Sequence, residues 1–145
     1  MNYVARRAVV DDIPSIISMG CFAGVFTVSD RIHFYEEGEL REWISQPHEN
    51  ILLVVENSTV LAGFLFCKVM SYHWAFLDNF YILPQYRNQH YSQILFKELQ
   101  NELKKKRLIY LSTLVRQNDK VLSRYIRMNG FHEANAYQWY ELFLR

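Results

Sequence analysis

The part of the sequence best suited to bind a ligand lies between residues 74 and 106. Residues 74–83 are apolar and predict a strand that ends at Pro84, and after a polar loop residues 91–106 carry apolar side chains every four positions, which predicts a helix packed on a sheet. The first N–H groups of a helix lack intrahelical acceptors, and the helix dipole adds partial positive charge there. A pyrophosphate could therefore bind without a cationic side chain. The pattern is common in α/β proteins, so alone it is weak support for any one ligand.

Hydrophobic periodicity and helix-end residues define the elements that must position this loop. Asp11 and Asp12 suit a helix start, Pro47 stops a helix before it, and Gly130 suits the left-handed position after a helix end. The order β, α, α, three strands, α, β, α, β predicts helices on both faces of one mixed sheet. The predicted elements are strand 3–9, a helix from 11, helix 33–46 after a connector 21–32, strands 51–55, 60–70 and 74–83, helix 91–106, strand 108–115, helix 118–129 and strand 137–144.

Size and charge restrict the class of protein. A chain of 145 residues, half of them hydrophobic, predicts one globular domain over residues 1–145. The net charge of +1, from 16 basic and 15 acidic side chains, gives no basic field for nucleic acid. The N-terminus has no apolar run typical of a signal peptide or a membrane span, so we expect a cytoplasmic protein without a membrane partner. Scattered histidines predict no metal site, and Cys21 and Cys67, without paired spacing, are interpreted as reduced core thiols.

Several segments resemble the GNAT acetyltransferase family and occur in that family's order. Together they cover nearly the whole chain, and their order is more specific than any one motif. The matching segments are Arg-Ala-Val-Val-Asp-Asp at residues 7–12, Leu-Ala-Gly-Phe at 61–64, Pro-Gln-Tyr-Arg at 84–87 with the loop and helix that follow, Asn118 seven residues before Tyr125, and Gly-Phe at 130–131.

The resemblance implies a fold, a reaction and a set of site residues. The fold would be a mixed α/β (α+β) fold with a mostly antiparallel central sheet and helices on both faces. The reaction would transfer an acetyl group from acetyl-CoA, or a related acyl-CoA, to a primary amine. Asp78 would remove the ammonium proton of the acceptor and Tyr125 would protonate the departing thiolate. The cofactor-binding residues implied are Phe80, Tyr81, Ile82, Arg87, Asn88, Gln89, His90, Tyr91, Ser92 and Asn118.

Two positions depart from the family pattern. His90 stands where the loop has its first glycine, and Ser92 stands at its second small position. Histidine can adopt a left-handed conformation at some strain, and its side chain could either obstruct the cofactor or, when protonated, donate to a phosphate. One extra residue also precedes Gly130, so that Ile126 competes with Tyr125 for the tyrosine position. We prefer Tyr125, because an extra residue is more easily accommodated at a helix end.

Other interpretations of these residues stay open. Tyr125 could be a partly buried helix aromatic, and Asp78 could be a hydrogen-bonded carboxylate at a strand edge. Acidic and aromatic residues between 34 and 43 lie where the family builds its acceptor groove, although a solvated acidic helix face is the simpler interpretation. The altered loop also allows a GNAT-fold module that binds CoA without catalysis. The aromatic C-terminal strand could serve as the edge of a homodimer.

Overall fold

The computed structural model describes residues 3–21 and 34–144. These residues form two compact units, one reaching to Leu114 and the other beginning at Val115. The first unit contains all of the described strands and three of the described helices, and the second contains one helix. The strands are β1 (Tyr3–Arg7), β2 (Asn50–Asn57), β3 (Val60–Val69), β4 (Trp74–Ile82) and β5 (Tyr110–Thr113), and the helices are α1 (Ile13–Cys21), α2 (Glu37–Ser45), α3 (Tyr91–Lys105) and α4 (Lys120–Met128).

The described strands form one sheet in the order β1-β2-β3-β4-β5. Strands β1 to β4 are each antiparallel to the next strand, whereas β5 is parallel to β4. A parallel pair needs a long crossover connection, and α3 provides it between β4 and β5. The predicted mixed, mostly antiparallel sheet is therefore confirmed.

Both faces of the sheet are covered by helices. On one face, residues of α1 and α2, including Ile16 and Leu40, form a buried cluster with Val54 of β2 and Phe64 of β3. On the other face α3 packs against β1, β2, β3 and β4, and its Leu99 is fully buried. Strands buried on both faces read as continuous apolar runs, which explains why β2 and β3 lack a polar alternation in the sequence.

A buried carboxylate turns the chain from β1 into α1. Asp12 is 7% exposed, and its side chain accepts hydrogen bonds from the Val9 N–H at 2.8 Å and from Arg6 at 2.7 and 3.0 Å. Burial alone would raise the pKa of Asp12, but the hydrogen bonds from Arg6 and Val9 lower it below its ordinary value. The predicted helix start at Asp11 and Asp12 is thus confirmed, with a 3-10 turn (Val10–Asp12) leading into α1.

The second unit is organised by the two ends of α4. Asp119 accepts a hydrogen bond from the Leu122 N–H at 2.9 Å and so caps the first turn. At the other end Gly130 has a φ of 92°, and the Phe131 N–H donates to the Ile126 carbonyl at 3.3 Å. This left-handed helix end confirms the role predicted for Gly130.

Three expectations differ from the structure. Residues 137–144, predicted as a strand, form no strand in the second unit, because aromatic composition favours strands only where a neighbouring strand supplies hydrogen bonds. The second helix begins at Glu37, and the connector and helix start predicted for residues 22–33 lie outside the described residues. Cys67 is buried as expected, but Cys21 is exposed at the end of α1.

The described helices are also too short or too polar to cross a bilayer.

Candidate functional site

A β-bulge lies in the middle of β4. Phe66 of β3 pairs with Asn79, whereas the next residue, Cys67, pairs with Leu77, so Asp78 is an extra residue on β4. A bulge places two consecutive residues opposite one partner and re-aims their side chains. Here Asp78 and Asn79, which regular alternation would send to opposite faces, both contact the same phenol on the α2 side of the sheet.

That phenol belongs to Tyr35, which lies two residues before the start of α2. Its hydroxyl donates a hydrogen bond to Asp78 Oδ2 and accepts one from Asn79 Nδ2. Asn79 Nδ2 also lies 3.4 Å from Asp78 Oδ2. The Tyr35 ring packs edge-on against Trp43 at 4.7 Å and against Phe66 at 5.6 Å between ring centroids. Aromatic packing therefore fixes the ring whose hydroxyl reaches the carboxylate.

The surroundings of Asp78 favour a carboxylate that can exchange protons. Burial raises the pKa of Asp78, while the hydrogen bond from Tyr35 and the charge of Lys68 act in the opposite direction. The side chain nevertheless keeps contact with solvent. Burial and the neighbouring Asp78 raise the pKa of Tyr35 well above its ordinary value, so this phenol stays protonated as a donor. A base needs a raised pKa and an accessible oxygen, and Asp78 has both.

The backbone edge of β4 opens immediately after the bulge. Strand β5 pairs only with residues 74–77 of β4, and Thr113 Oγ1 donates to the Leu77 carbonyl at 2.9 Å where that pairing ends. The Leu83 N–H donates to the Ala62 carbonyl at 2.9 Å, which fixes the alternation of the antiparallel β3–β4 ladder. By this alternation the Tyr81 backbone points toward β3.

The Phe80 backbone and the Ile82 N–H therefore point away from β3, toward the edge that β5 has left. The side chains of these two residues are used elsewhere, because Phe80 packs on Phe96 of α3 at 5.1 Å and Ile82 is buried. Backbone groups at this edge are thus what β4 can offer to amides of an extended ligand. Of the three cofactor residues predicted on this strand, Phe80 and Ile82 direct backbone groups to the open edge and Tyr81 directs its backbone to β3.

Arg87 closes the end of β4. Its Nε donates to the Ile82 carbonyl at 2.9 Å, and its guanidinium lies 5.4 Å from the centroid of the Tyr81 ring. These contacts show that Arg87 stabilises the exit from the strand. Gln89 similarly turns back, donating from Nε2 to the Gln85 carbonyl at 2.9 Å. Both predicted cofactor residues therefore also shape the loop itself.

The loop before α3 has the backbone conformation that glycine usually provides. Asn88 has a φ of 61° and His90 a φ of 70°, both in the left-handed region. His90 is the residue that precedes the first turn of α3, and its Nδ1 lies 2.7 Å from Oε1 of Gln93 in that turn. The prediction that histidine can adopt the glycine conformation is confirmed. The imidazole is exposed and held along the first turn of the helix.

Tyr91 and Ser92 form the first turn of α3. The Tyr91 side chain is 1% exposed and packs against Tyr3 and Tyr86 at centroid distances of 4.7 and 5.4 Å. Its side chain therefore cannot contact a ligand and anchors the helix, so only its backbone N–H can serve the predicted role. Ser92 is half-buried. The backbone N–H groups of residues 91–93 have no intrahelical acceptor, as at every helix start.

The remaining predicted residues belong to the second unit. Asn118 is exposed in the turn before α4, and its carbonyl accepts a hydrogen bond from the Lys120 N–H at 3.1 Å. Tyr125 lies in α4 and is half-buried, whereas the neighbouring Ile126 is 7% exposed. Of these two neighbours, Ile126 is the residue that the core buries, and Tyr125 is the one that keeps partial exposure.

Sequence reasoning missed Tyr35 and Asn79 as partners of Asp78. Tyr35 is one of the aromatic residues in the 34–43 stretch, and 43 residues separate it from Asp78 in the chain. Neither Asp78 nor Asn79 is a residue type that marks a bulge by itself, such as glycine. The one sequence signal is two adjacent polar residues inside an otherwise apolar strand.

The fold and the site together define a class of protein. The chain combines a mostly antiparallel sheet, whose fourth strand bulges and separates from the fifth, with a left-handed loop that leads into a helix. The sequence pattern of the acetyltransferase (GNAT) family matches residues 19–131, and the chain belongs to this family.

Solved structures with the same fold include several acetyltransferases. The PaiA N-acetyltransferase from Thermoplasma acidophilum in complex with coenzyme A has a TM-score of 0.81 and 19% identity, covering 94% of this chain and 93% of its own. The aminoglycoside 6'-N-acetyltransferase AAC(6')-Ih from Acinetobacter baumannii has a TM-score of 0.80 and 15% identity, covering 99% of both chains. The ribosomal-protein-S18-alanine N-acetyltransferase from Escherichia coli has a TM-score of 0.73 and 19% identity, covering 92% and 80%. No curated protein sequence matches the chain.

Proposed function

We propose that this protein transfers an acetyl group from acetyl-CoA to a primary amine of a small molecule or a protein. One observation supports this most: the hydrogen-bonded carboxylate of Asp78 lies at the bulge, and the outward-facing backbone of Phe80 follows two residues later. An amine base and a docking edge for an acyl donor are thus adjacent on one strand. We also propose that both units act as one acyltransferase domain, because the family pattern extends across both.

The residues present fit the groups of acetyl-CoA. Phe80 and Ile82 have backbone groups directed to the open edge, where they could hold amides of the pantetheine arm. The unpaired N–H groups at the start of α3, with His90 and Ser92 beside them, suit the pyrophosphate. Acetyl-CoA, when bound, supplies the thioester that acylates the amine.

Asp78 would prepare the acceptor. An ammonium ion has no lone pair, so its nitrogen must first lose a proton before it can attack a carbonyl carbon. In the proposed step the N–H bond breaks and an O–H bond forms at a carboxylate oxygen of Asp78, directly or through a water. The amine nitrogen would form its bond to the acyl carbon while the carbon–sulfur bond breaks, and Tyr125 would give its hydroxyl proton to the departing sulfur, which leaves a neutral thiol. The nitrogen loses its second proton as the amide forms, and that proton would return the Tyr125 phenolate to its neutral form. Asp78 would therefore accept one proton, and Tyr125 would donate one proton and recover one.

The neighbours in fold support amines as acceptors. By their names, one acetylates aminoglycosides and another the alanine of a ribosomal protein, and a third was solved with coenzyme A. Amines of these two kinds, together with polyamines, are therefore the first acceptors to test. The acidic stretch at Glu36, Glu37 and Glu39 beside the site favours cationic acceptors.

The test is a binding and turnover measurement on the purified protein. We expect isothermal titration to show acetyl-CoA and CoA binding, and we expect thiol release with at least one amine from a panel of an aminoglycoside, a polyamine and a peptide with N-terminal alanine. Mass spectrometry of the acceptor should show one added acetyl group. Absence of binding at millimolar ligand and of acetylation would contradict the proposal.

A second function follows from the histidine in the loop. If His90 binds the cofactor in a way that prevents productive placement, the protein would be a CoA-binding module without catalysis. Bound CoA would then raise the melting temperature, by mass action, while no amine in the panel became acetylated. Acetylation of any panel amine that depends on Asp78 excludes this alternative.

A further inference from the structure

The Tyr35 hydroxyl bonds to two consecutive residues of the β4 bulge. Tyr35 takes no part in the proton transfers proposed above. We infer that Tyr35 is a positioning residue for Asp78: its hydroxyl, bonded at once to Asp78 and Asn79, holds the carboxylate in a single orientation for the acceptor amine. The inference rests on the proposed function for the role of that carboxylate. The contact itself can be tested in the ligand-free protein.

The position of the Tyr35 hydroxyl is set by packing. Its ring contacts Phe34 at 4.7 Å, Trp43 at 4.7 Å and Phe66 at 5.6 Å between centroids. Phenylalanine would fill this aromatic cluster equally well, so the hydroxyl is not needed for packing. A side chain with two torsions, held on three sides, can orient a partner at little cost in conformational entropy. The carboxylate is therefore oriented by the core on the α2 side of the sheet.

The direction of each hydrogen bond can be assigned. Asn79 donates through Nδ2, so the Tyr35 oxygen accepts that bond and its single proton is donated to Asp78. Within the described residues, the side-chain hydrogen bonds of Asp78 are made through Oδ2. In the inferred role Oδ1 is the oxygen that receives a proton from the amine. The chain of bonds from Asn79 through Tyr35 to Asp78 gives the two carboxylate oxygens different tasks.

The same hydrogen bond affects when the base is ionised. Burial raises the pKa of Asp78, and the Tyr35 hydrogen bond opposes that effect because it stabilises the carboxylate. Among residues 3–21 and 34–144, the other ionisable groups that act on this cluster are Lys68, whose charge also lowers the pKa of Asp78, Cys67, whose thiol has a pKa raised to about 12 by burial, and Glu39, whose charge acts on Tyr35. None of these replaces the lost donor when Tyr35 becomes phenylalanine. The pKa of Asp78 should then rise further.

The experiment compares the wild-type protein with Tyr35→Phe and with Tyr72→Phe, a control at a tyrosine that is 92% exposed. Carbon-13 NMR of labelled aspartate carboxyls in the ligand-free proteins follows the titration of Asp78. The Asp78 signal is assigned as the one that is missing from the spectrum of Asp78→Asn. The acid limb of the plot of kcat/KM against pH reports the pKa of the same group during turnover. We expect Tyr35→Phe to move the Asp78 titration and the acid limb of kcat/KM to higher pH, and to lower the high-pH plateau of kcat/KM by less than tenfold. Tyr72→Phe should change neither the titration nor the kcat/KM profile.

Each result has one meaning. An Asp78 titration that does not move in Tyr35→Phe overturns the inference even if the wild type acetylates amines, and so does a uniform loss of kcat/KM at every pH. A shifted titration with no turnover by any variant supports the hold of Tyr35 on Asp78 and overturns the proposed function instead. If Tyr35→Phe does not fold, Asn79→Ala keeps the aromatic cluster and removes both the donor to Tyr35 and the contact of that amide with Asp78. It should shift Asp78 in the same direction.

Discussion

Replacing Asp78 with asparagine separates the chemical role of this carboxylate from its structural role. Asparagine has the same shape, and its carbonyl oxygen can still accept the hydrogen bond from Tyr35. The change removes the negative charge and with it the ability to take a proton from an ammonium ion. The bulge, which is a backbone feature of β4, should persist. The comparison therefore isolates proton transfer.

The expected loss of activity follows from what a general base contributes. Proton transfer by a positioned side chain accounts for about 10²- to 10⁴-fold in rate, which is about 2.7 to 5.5 kcal/mol in activation free energy. We therefore expect kcat/KM for the amine to fall by about 10²-fold or more in Asp78→Asn. The dissociation constant of acetyl-CoA should stay unchanged, because the loop before α3 and the outward backbone of β4 remain as they are.

Whereas Asp78→Asn should lower activity, it should not lower the stability of the folded protein. Burial raises the pKa of Asp78 above its unfolded value, so the folded protein binds this proton more tightly than the unfolded chain does. The group therefore adds stability below its unfolded pKa and loses that contribution as pH rises through its folded pKa. At pH 7 the charged carboxylate costs stability. Asp78→Asn should therefore not destabilise the protein at pH 7, and any gain in the free energy of unfolding should be small because Asp78 keeps contact with solvent.

The assay combines steady-state kinetics with urea unfolding at pH 7. The control is Asp11→Asn, which makes the same charge change at an exposed position in the turn before α1. It should change neither kcat/KM nor stability by a measurable amount. Our reasoning would be refuted if Asp78→Asn kept wild-type kcat/KM, or if it lost activity only in proportion to a loss of folded protein. The first result would exclude Asp78 as the base and the second would make it a structural residue.

The remaining predictions concern three other side chains. Asp12→Asn should lower stability at pH 7 by about 1.5 to 3 kcal/mol, because it weakens charge-assisted hydrogen bonds from Arg6. The pKa of Asp12 is lowered in the folded state, so the difference in urea midpoint between the two proteins should shrink as pH falls through that pKa. Tyr125→Phe should lower kcat about 10²-fold with CoA affinity unchanged in titration calorimetry, and an unchanged kcat would remove it from the mechanism. His90→Gly should weaken CoA binding about two- to tenfold, the worth of one hydrogen bond; tighter binding would show instead that the imidazole obstructs, and equal binding would show that it does neither.

Most of the fold could be predicted because burial imposes a period on the sequence. The helix predicted at 91–106 agrees with α3 to within one residue at its end. The agreement is close because its buried positions recur every four residues, at Tyr91, Leu95, Leu99 and Leu103. Strand β4 was limited by Pro84 for a similarly local reason. Residues 137–144 carry the same kind of aromatic signal, but a strand also requires a hydrogen-bonding neighbour, and sequence alone does not specify one.

The site was harder to predict because its decisive contacts are distant in sequence. The loop and Asp78 were found from motif order, whereas the partner of Asp78 comes from 43 residues earlier, in a segment without clear periodicity. The bulge also breaks the regular alternation of a strand, which by itself would place Asp78 and Asn79 on opposite faces. A one-residue irregularity of this kind leaves the hydrophobic pattern of β4 almost unchanged.

The loop before α3 shows why a sequence departure need not be a structural one. Glycine is favoured in such loops because it adopts positive φ without steric cost, and here His90 adopts a φ of 70° in its place. That conformation costs a non-glycine residue about 1 to 2 kcal/mol, so the rest of the unit must impose it. The buried ring of Tyr91, packed against Tyr3 and Tyr86, fixes the helix start immediately after the strained residue. The proposed anion site would therefore depend on a backbone shape that Tyr91 secures, and His90 would add a side chain to a site that does not require one.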